Sequence, residues 1–371
     1  MIYLDSAATS LIKPPAVAKS MTLALRTMAS PGRGSYSAAQ RAAETVYECR
    51  ETAARLFHME DASNVVFTQN ATHALNTAIF SLIQPGDRVL ISGFEHNAVT
   101  RPLHALGADV RIAGRRLFDA SDMLENFERE LREAKAVVCT HVSNVFGYIL
   151  PIYEIAALCR SHVVPLIVDA SQSAGILDVD MEKLGAAFIA MPGHKSLFGP
   201  QGTGILLCNH AAKPLLYGGS GSDSKNPDMP ETLPERLEAG TANVCGIAGL
   251  KAGMEFVLQK GTERISAYEK KLLSLTVREM KKIPGITLYA SESGNQSGVL
   301  SFTAEGWDCE DIAARLAESG ICVRAGLHCA PTAHESAGTI RMGTVRLSFS
   351  PFVSESDILH AAAVIKNTVY S

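Results

Sequence analysis

Eight cysteines are scattered through the 371-residue chain, and no two of them form a C-x-x-C pair. In a chain this long such spacing gives neither a disulfide framework nor a metal site, so no metal is expected. Most sit in apolar runs as small buried hydrophobes, and a reducing, cytoplasmic location is the expectation. Basic runs are absent and the net charge is −4, so neither nucleic acid nor an anionic membrane is an implied partner. No stretch reaches the roughly 18 apolar residues of a membrane-spanning helix. The longest apolar neighbourhood, 149–170, is interrupted by Glu154, Arg160, His162 and two prolines. The opening MIYLDSAATS lacks a basic n-region, so no signal peptide is expected. Internal repeats are missing, and so are two nucleotide-binding signatures. GHKS at 193–196 looks like the end of a P-loop without its first glycine, and GPQGTG is not G-x-G-x-x-G.

What is present is ordinary in bulk and informative in order. Apolar residues make up 47% and charged residues 19%, typical of a soluble globular chain long enough for two domains. Short apolar runs at 65–68, 88–93, 136–142, 165–170, 186–191 and 204–208 alternate with helical spacing at 15–30, 37–57, 71–83, up to Leu106, and 151–162. That alternation predicts an α/β domain over residues 15–250, built on a mainly parallel sheet buried on both faces. From Gly246 the pattern changes to two long helices, 247–260 and 264–282, then the short strands ITLYA and GVLSF. A helix at 308–318, the strands ICVR and VRLSF, and a helix at 354–368 follow. Residues 1–14 and 251–371 read as a smaller α+β domain. The polar, turn-rich segment 218–236 between them is expected to be a functional loop.

One lysine stands out. Lys195 lies in MPGHKSLFGPQGTGIL (191–206), between two apolar runs and among glycines that permit close backbone approach. Desolvation there would lower the amine pKa toward the range in which it attacks carbonyls. A turn with a solvated lysine fits the same stretch. In open parallel sheets, ligands sit at the carboxyl ends of the strands, and the residues found there are Thr68–Thr72, Glu95–Asn97, Ser143-Asn144, Asp169–Gln172 and His194-Lys195. Each alone has a plain role as a cap or turn residue. Together they supply an acid, an amine, a flat histidine, amides and a hydroxyl at one sheet edge, which suits an aromatic phosphorylated cofactor with a basic ring nitrogen.

The motifs YLDSAATS, FTQNATHALN, EHNAVTRPL, HVSNVFG, VDASQSAG, PGHKSLFGPQGTG, EAGTANV, RAGLHCAP and VRLSF follow one another along nearly the whole chain. In that order they resemble the class V aminotransferase group of fold-type I pyridoxal-phosphate (PLP) enzymes, most closely its cysteine desulfurase / selenocysteine lyase branch. The resemblance implies that Lys195 holds the cofactor as a Schiff base and moves the Cα proton. It gives Asp169 to the pyridine nitrogen, His96 to the ring face as a stacking and acid/base group, and Asn144 and Gln172 to the ring oxygen. Thr72 and His194 would hold the phosphate beside backbone N–H groups at Ala71. Arg346, with Arg324, would bind the substrate carboxylate. Thr241 of EAGT would reach across a homodimer with shared active sites.

Ser6, Ala71, Pro192 and Leu327 depart from the branch's usual residues, and Ala71 and Pro192 thin the phosphate cup. Cys329 in RAGLHCAP has a plain reading as a buried small residue. The resemblance makes it a persulfide carrier, its thiol pKa lowered by His328 and Arg324 as neighbouring cations. The implied reaction converts L-cysteine to L-alanine, with the sulfur passing to a possible acceptor protein. The alternatives are a selenocysteine lyase acting on L-selenocysteine, an aminotransferase or epimerase of the same class, and a cofactor-free sulfur-transfer scaffold.

Overall fold

Val65 to Cys208 contains the continuous apolar runs, and in the computed structural model they become the strands of one buried sheet. The structure describes all residues except 33, 222–224 and 371. In chain order the first elements are β1 (Ile2–Tyr3), α1 (Pro15–Thr27), α2 (Ser37–Leu56), β2 (Val65–Thr68), α3 (Ala71–Leu82), β3 (Arg88–Ser92) and α4 (Asn97–Leu106). Next come β4 (Asp109–Ala113), α5 (Ala120–Glu130), β5 (Ala136–Thr140), α6 (Ile152–Ser161), β6 (Leu166–Asp169), α7 (Met181–Leu184), β7 (Phe188–Pro192) and β8 (Gly204–Cys208). After the long loop follow α8 (Val244–Lys260), α9 (Thr262–Met280), β9 (Ile286–Tyr289), β10 (Val299–Ala304) and α10 (Cys309–Glu318). The chain ends with β11 (Ile321–Cys322), β12 (Arg324–Gly326), α11 (Pro331–Ser336), β13 (Thr344–Ser348) and α12 (Glu355–Tyr370).

The large sheet has the order β2-β8-β7-β6-β5-β3-β4. Pairing is parallel from β7 through β4, and β8 alone runs against its two neighbours. Alternation at period 2 splits each strand between two cores. Val137, Cys139, Leu166 and Val168 join the core under α2, α5 and α6. Val138, Ile167, Phe188 and Ala190 join the one under α3 and α4. Both faces are therefore apolar, which is why these strands read as unbroken hydrophobic runs.

A second, antiparallel sheet has the order β12-β13-β10-β9, and β1 pairs in parallel with β11. The two ends of the chain share one core here, Leu4 packing with Leu300, Phe302, Leu347 and Ile365. Two features differ from the sequence pattern. The run ICVR divides at Val323, because β11 pairs with β1 while β12 pairs with β13. Edge strand β4 and the helix α5 behind it lacked an apolar run, since Asp109 and Arg111 interrupt β4.

Candidate active site

Lys195 lies in the connection between the antiparallel neighbours β7 and β8, a hairpin entered at the carboxyl edge of the parallel strands. The hairpin is pinned by Gly193 N donating to Thr203 O (2.8 Å) and Gly199 N donating to Gly193 O (2.8 Å). Only glycine fits at 193, where a Cβ would stand 2.2 Å from Thr203 Oγ1. Gly175 is equally constrained, with φ of +93° and its missing Cβ 2.2 Å from the carbonyl oxygen of Ser196.

A cavity of about 170 Å³ opens beside this lysine. Its walls include Lys195, His194, Asp169, Gln172, Asn144, His96, Ala71 and Thr72, so eight predicted residues from five separate segments meet in one place. Asp169 ends β6, is 2% exposed, and accepts a hydrogen bond from Ser171 N at 2.9 Å. Desolvation lowers the Lys195 amine to about 8, only partly offset by Asp169. His96 caps α4, its Nδ1 accepting from Ala98 N (3.0 Å), and burial lowers its pKa against the pull of Asp169. The ring is therefore fixed in orientation by its own helix. Asn70 caps α3 by accepting from His73 N (2.9 Å), which leaves the first turn at Ala71 and Thr72 along the cavity wall. His194 Nδ1 lies 3.0 Å from Thr9 Oγ1, and burial lowers its pKa to about 4. It is a neutral ring.

The N-terminal segment is hydrogen-bonded to two residues of this site, contacts that no local sequence pattern signalled. Gln172 Nε2 donates to Ala7 O (2.9 Å), and Ser10 N donates to His194 O (3.0 Å). Asp5 accepts from Arg346 (2.8 Å) on one oxygen and from Arg324 (3.1 Å) on the other. Arg346 is 2% exposed, also donates to Asn144 O (2.8 Å), and keeps a buried Nε with no partner. Its charge is close enough to lower the pKa of both Lys195 and His96. Thr140, which the sequence did not single out, and Ser171, inside the stretch 169–172 that it did, also line the cavity.

Cys329 is exposed and sits outside the cavity lining, but its backbone is tied to it. Asn97 N, one residue past His96, donates to Cys329 O (2.7 Å), and Asn144 Nδ2 donates to His328 O (2.7 Å). His328 is not the cation expected beside the thiol. It is buried with Nε2 3.2 Å from Thr344 O, and desolvation followed by the Arg346 charge pushes its pKa to about 2. Arg324, the other expected cation, is paired with Asp5. Thr241 lies elsewhere, on a larger cavity of about 720 Å³ shared with Gln69, His73, Gly202 and Asn243. Part of the segment 218–236 lines that cavity too, while 222–224 lie outside the described residues.

No helix among the described residues is long and apolar enough to cross a membrane. A family model for aminotransferase class-V matches residues 2–360. A probable cysteine desulfurase of Methanothermobacter thermautotrophicus is 33% identical over 366 residues, covering 92% of this chain and 89% of that protein. One of Pyrococcus abyssi is 31% identical, covering 100% of this chain and 95% of its own length. The solved apo structure of a cysteine desulfurase from Thermococcus onnurineus NA1 superposes with a TM-score of 0.92 at 30% identity, covering 100% of this chain and 94% of that one. With this fold-type I α/β architecture, the chain belongs to the class-V aminotransferase family.

Proposed function

We propose that the protein is a PLP-dependent cysteine desulfurase that converts L-cysteine to L-alanine and carries the sulfur on Cys329. The observation that supports it most is the meeting of two devices. A desolvated lysine faces a buried carboxylate in one cavity, and an exposed cysteine is tied to the adjoining residue of that wall.

The residues present fit the cofactor. Lys195 Nζ would hold it covalently, and Asp169 would keep a proton on its pyridine nitrogen. His96 would stack on the ring, with Asn144 and Gln172 at the ring oxygen. The backbone N–H groups of Ala71 and Thr72, the Thr72 hydroxyl and His194 would receive the phosphate at the α3 N-terminus. When bound, PLP supplies the electron sink for the pair left when a proton leaves Cα. The unpartnered Nε of Arg346 matches a substrate carboxylate, with Arg324 assisting. Asp5 holds both guanidinium groups from one side, so they are oriented before substrate arrives.

Lys195, neutral over an unusual pH range, takes the Cα proton. The Cys329 thiolate attacks the substrate sulfur. An S–S bond forms, the C–S bond breaks with its electron pair returning to the carbon skeleton, and Cβ gains a proton. Thiol plus cysteine becomes persulfide plus alanine, balanced without an outside oxidant. The exposed persulfide is then open to a sulfur-acceptor protein. In this reading, residues 15–250 form the cofactor-binding unit and 1–14 with 251–371 the smaller one. The enzyme works in the cytoplasm as a homodimer in which Thr241 reaches the phosphate site of a second copy.

The test is alanine release from L-cysteine. Cys329→Ala should keep its full cofactor content and lose at least about a hundredfold in alanine formation, as removal of a nucleophile does. Wild-type turnover by that variant would refute the role of Cys329.

A further inference from the structure

The turn that carries Cys329 is held in a costly shape. His328 and Cys329 are consecutive non-glycine residues with φ of 50° and 57°, in the left-handed region. Such backbone persists only where its surroundings over-determine it. Three hydrogen bonds fasten it and the following helix α11 to the β3–α4 connection. Asn97 N donates to Cys329 O (2.7 Å), Thr332 Oγ1 donates to Glu95 O (3.0 Å), and Ser336 Oγ donates to Gly93 O (2.8 Å). The approach at the far end is close enough that a Cβ on Gly93 would stand 2.6 Å from Ser336 Oγ. None of these six residues lines the 170 Å³ cavity. The strip they grip, 93–97, contains His96, which does. Beneath it the buried Glu95 carboxylate accepts from Thr140 N (2.9 Å) and from the Ser92 hydroxyl, so the strip is itself locked to the ends of β5 and β3.

We propose that Thr332 and Ser336 are positioning residues for Cys329, acting as a side-chain latch between the thiol-bearing turn and the strip that carries His96. Two hydroxyls on the buried backbone carbonyls of Glu95 and Gly93 lie outside the cavity lining and would add little to holding the cofactor, which Lys195, Asp169 and the α3 N-terminus do. Their effect falls on the left-handed turn. With both removed, the turn keeps its Asn97, Asn144 and Thr344 contacts but loses the side-chain link through α11, and Cys329 samples positions from which sulfur attack is unproductive. The inference rests on Cys329 being the sulfur carrier.

The test uses the holoenzyme. Thr332→Val/Ser336→Ala removes both latch hydroxyls with little change of volume, and Thr332→Ser keeps them. Alanine release from L-cysteine is measured as kcat and KM, and the rate of iodoacetamide modification of the Cys329 peptide is followed by mass spectrometry. The double variant should keep its cofactor content and KM, lose about tenfold in kcat, and show an altered modification rate, while Thr332→Ser stays near wild type. Unchanged kcat and modification rate would overturn the latch, as would a Thr332→Ser variant as impaired as the double. A loss of kcat accompanied by a raised KM and a loss of cofactor also overturns it, because that is general destabilisation. Cys329→Ala separates the two claims. If it turns over normally, the sulfur-carrier reading fails; if it is inactive while the double variant is normal, only the latch fails.

Discussion

Lys195 takes its character from the hairpin that holds it, because desolvation outweighs the attraction of Asp169 and the amine titrates near 8 instead of above 10. In cofactor-free protein only the neutral amine can capture an aldehyde. The rate of covalent PLP uptake, trapped by borohydride and read on the Lys195 peptide, should therefore rise with pH and level off above about 8. A midpoint above 10, or the label on another lysine, would contradict this. The eight predicted residues on the cavity wall were readable from sequence because each lies at or just beyond the end of an apolar run, where the sheet topology must bring them together. Asp5 was not readable as an arginine clamp. It pairs with Arg346 across 341 residues, and no local pattern encodes such a contact. His328 misled for a related reason: proximity in sequence to Cys329 suggested a cation, whereas burial makes it neutral.

Helices and strands of the large sheet were legible wherever the pattern was strong, as at β2, whose four residues coincide with the run VVFT. The weak points were edges and hand-overs, β4 with its charged residues and Val323 where one run serves two sheets. Helix α9 holds a less visible cost. It buries Glu269 against Gly298, with no ion pair to Glu269 among the described residues, and desolvation raises the carboxyl from 4.5 to about 8. Between those values the folded state holds a proton that the unfolded state has released, so stability falls as pH rises through that window. The fall is on the order of 3 kcal/mol by pH 7. Glu269→Gln removes the titration. Its melting temperature should exceed that of wild type by a margin that widens from pH 5 to pH 8. A margin independent of pH would mean that Glu269 ionises freely.

At the scale of the whole molecule, the N-terminal segment joins the small sheet to residues of the Lys195 cavity, and Thr241 lines the larger cavity and not that one. A cup thinned by Ala71 and Pro192 gives a second copy a reason to contribute. If two copies share the site, light scattering on dilution should show a dimer separating while PLP absorbance is lost from the protein in parallel, and a monomer with full cofactor content would remove the shared site. The proposed mechanism turns on the arrival of substrate sulfur on Cys329. It is tested most directly by brief exposure of the holoenzyme to L-cysteine labelled at sulfur, followed by mass spectrometry of the Cys329 peptide. One labelled sulfur atom on Cys329, matched by one alanine released, is the predicted result. Alanine released with no label on Cys329 would contradict it.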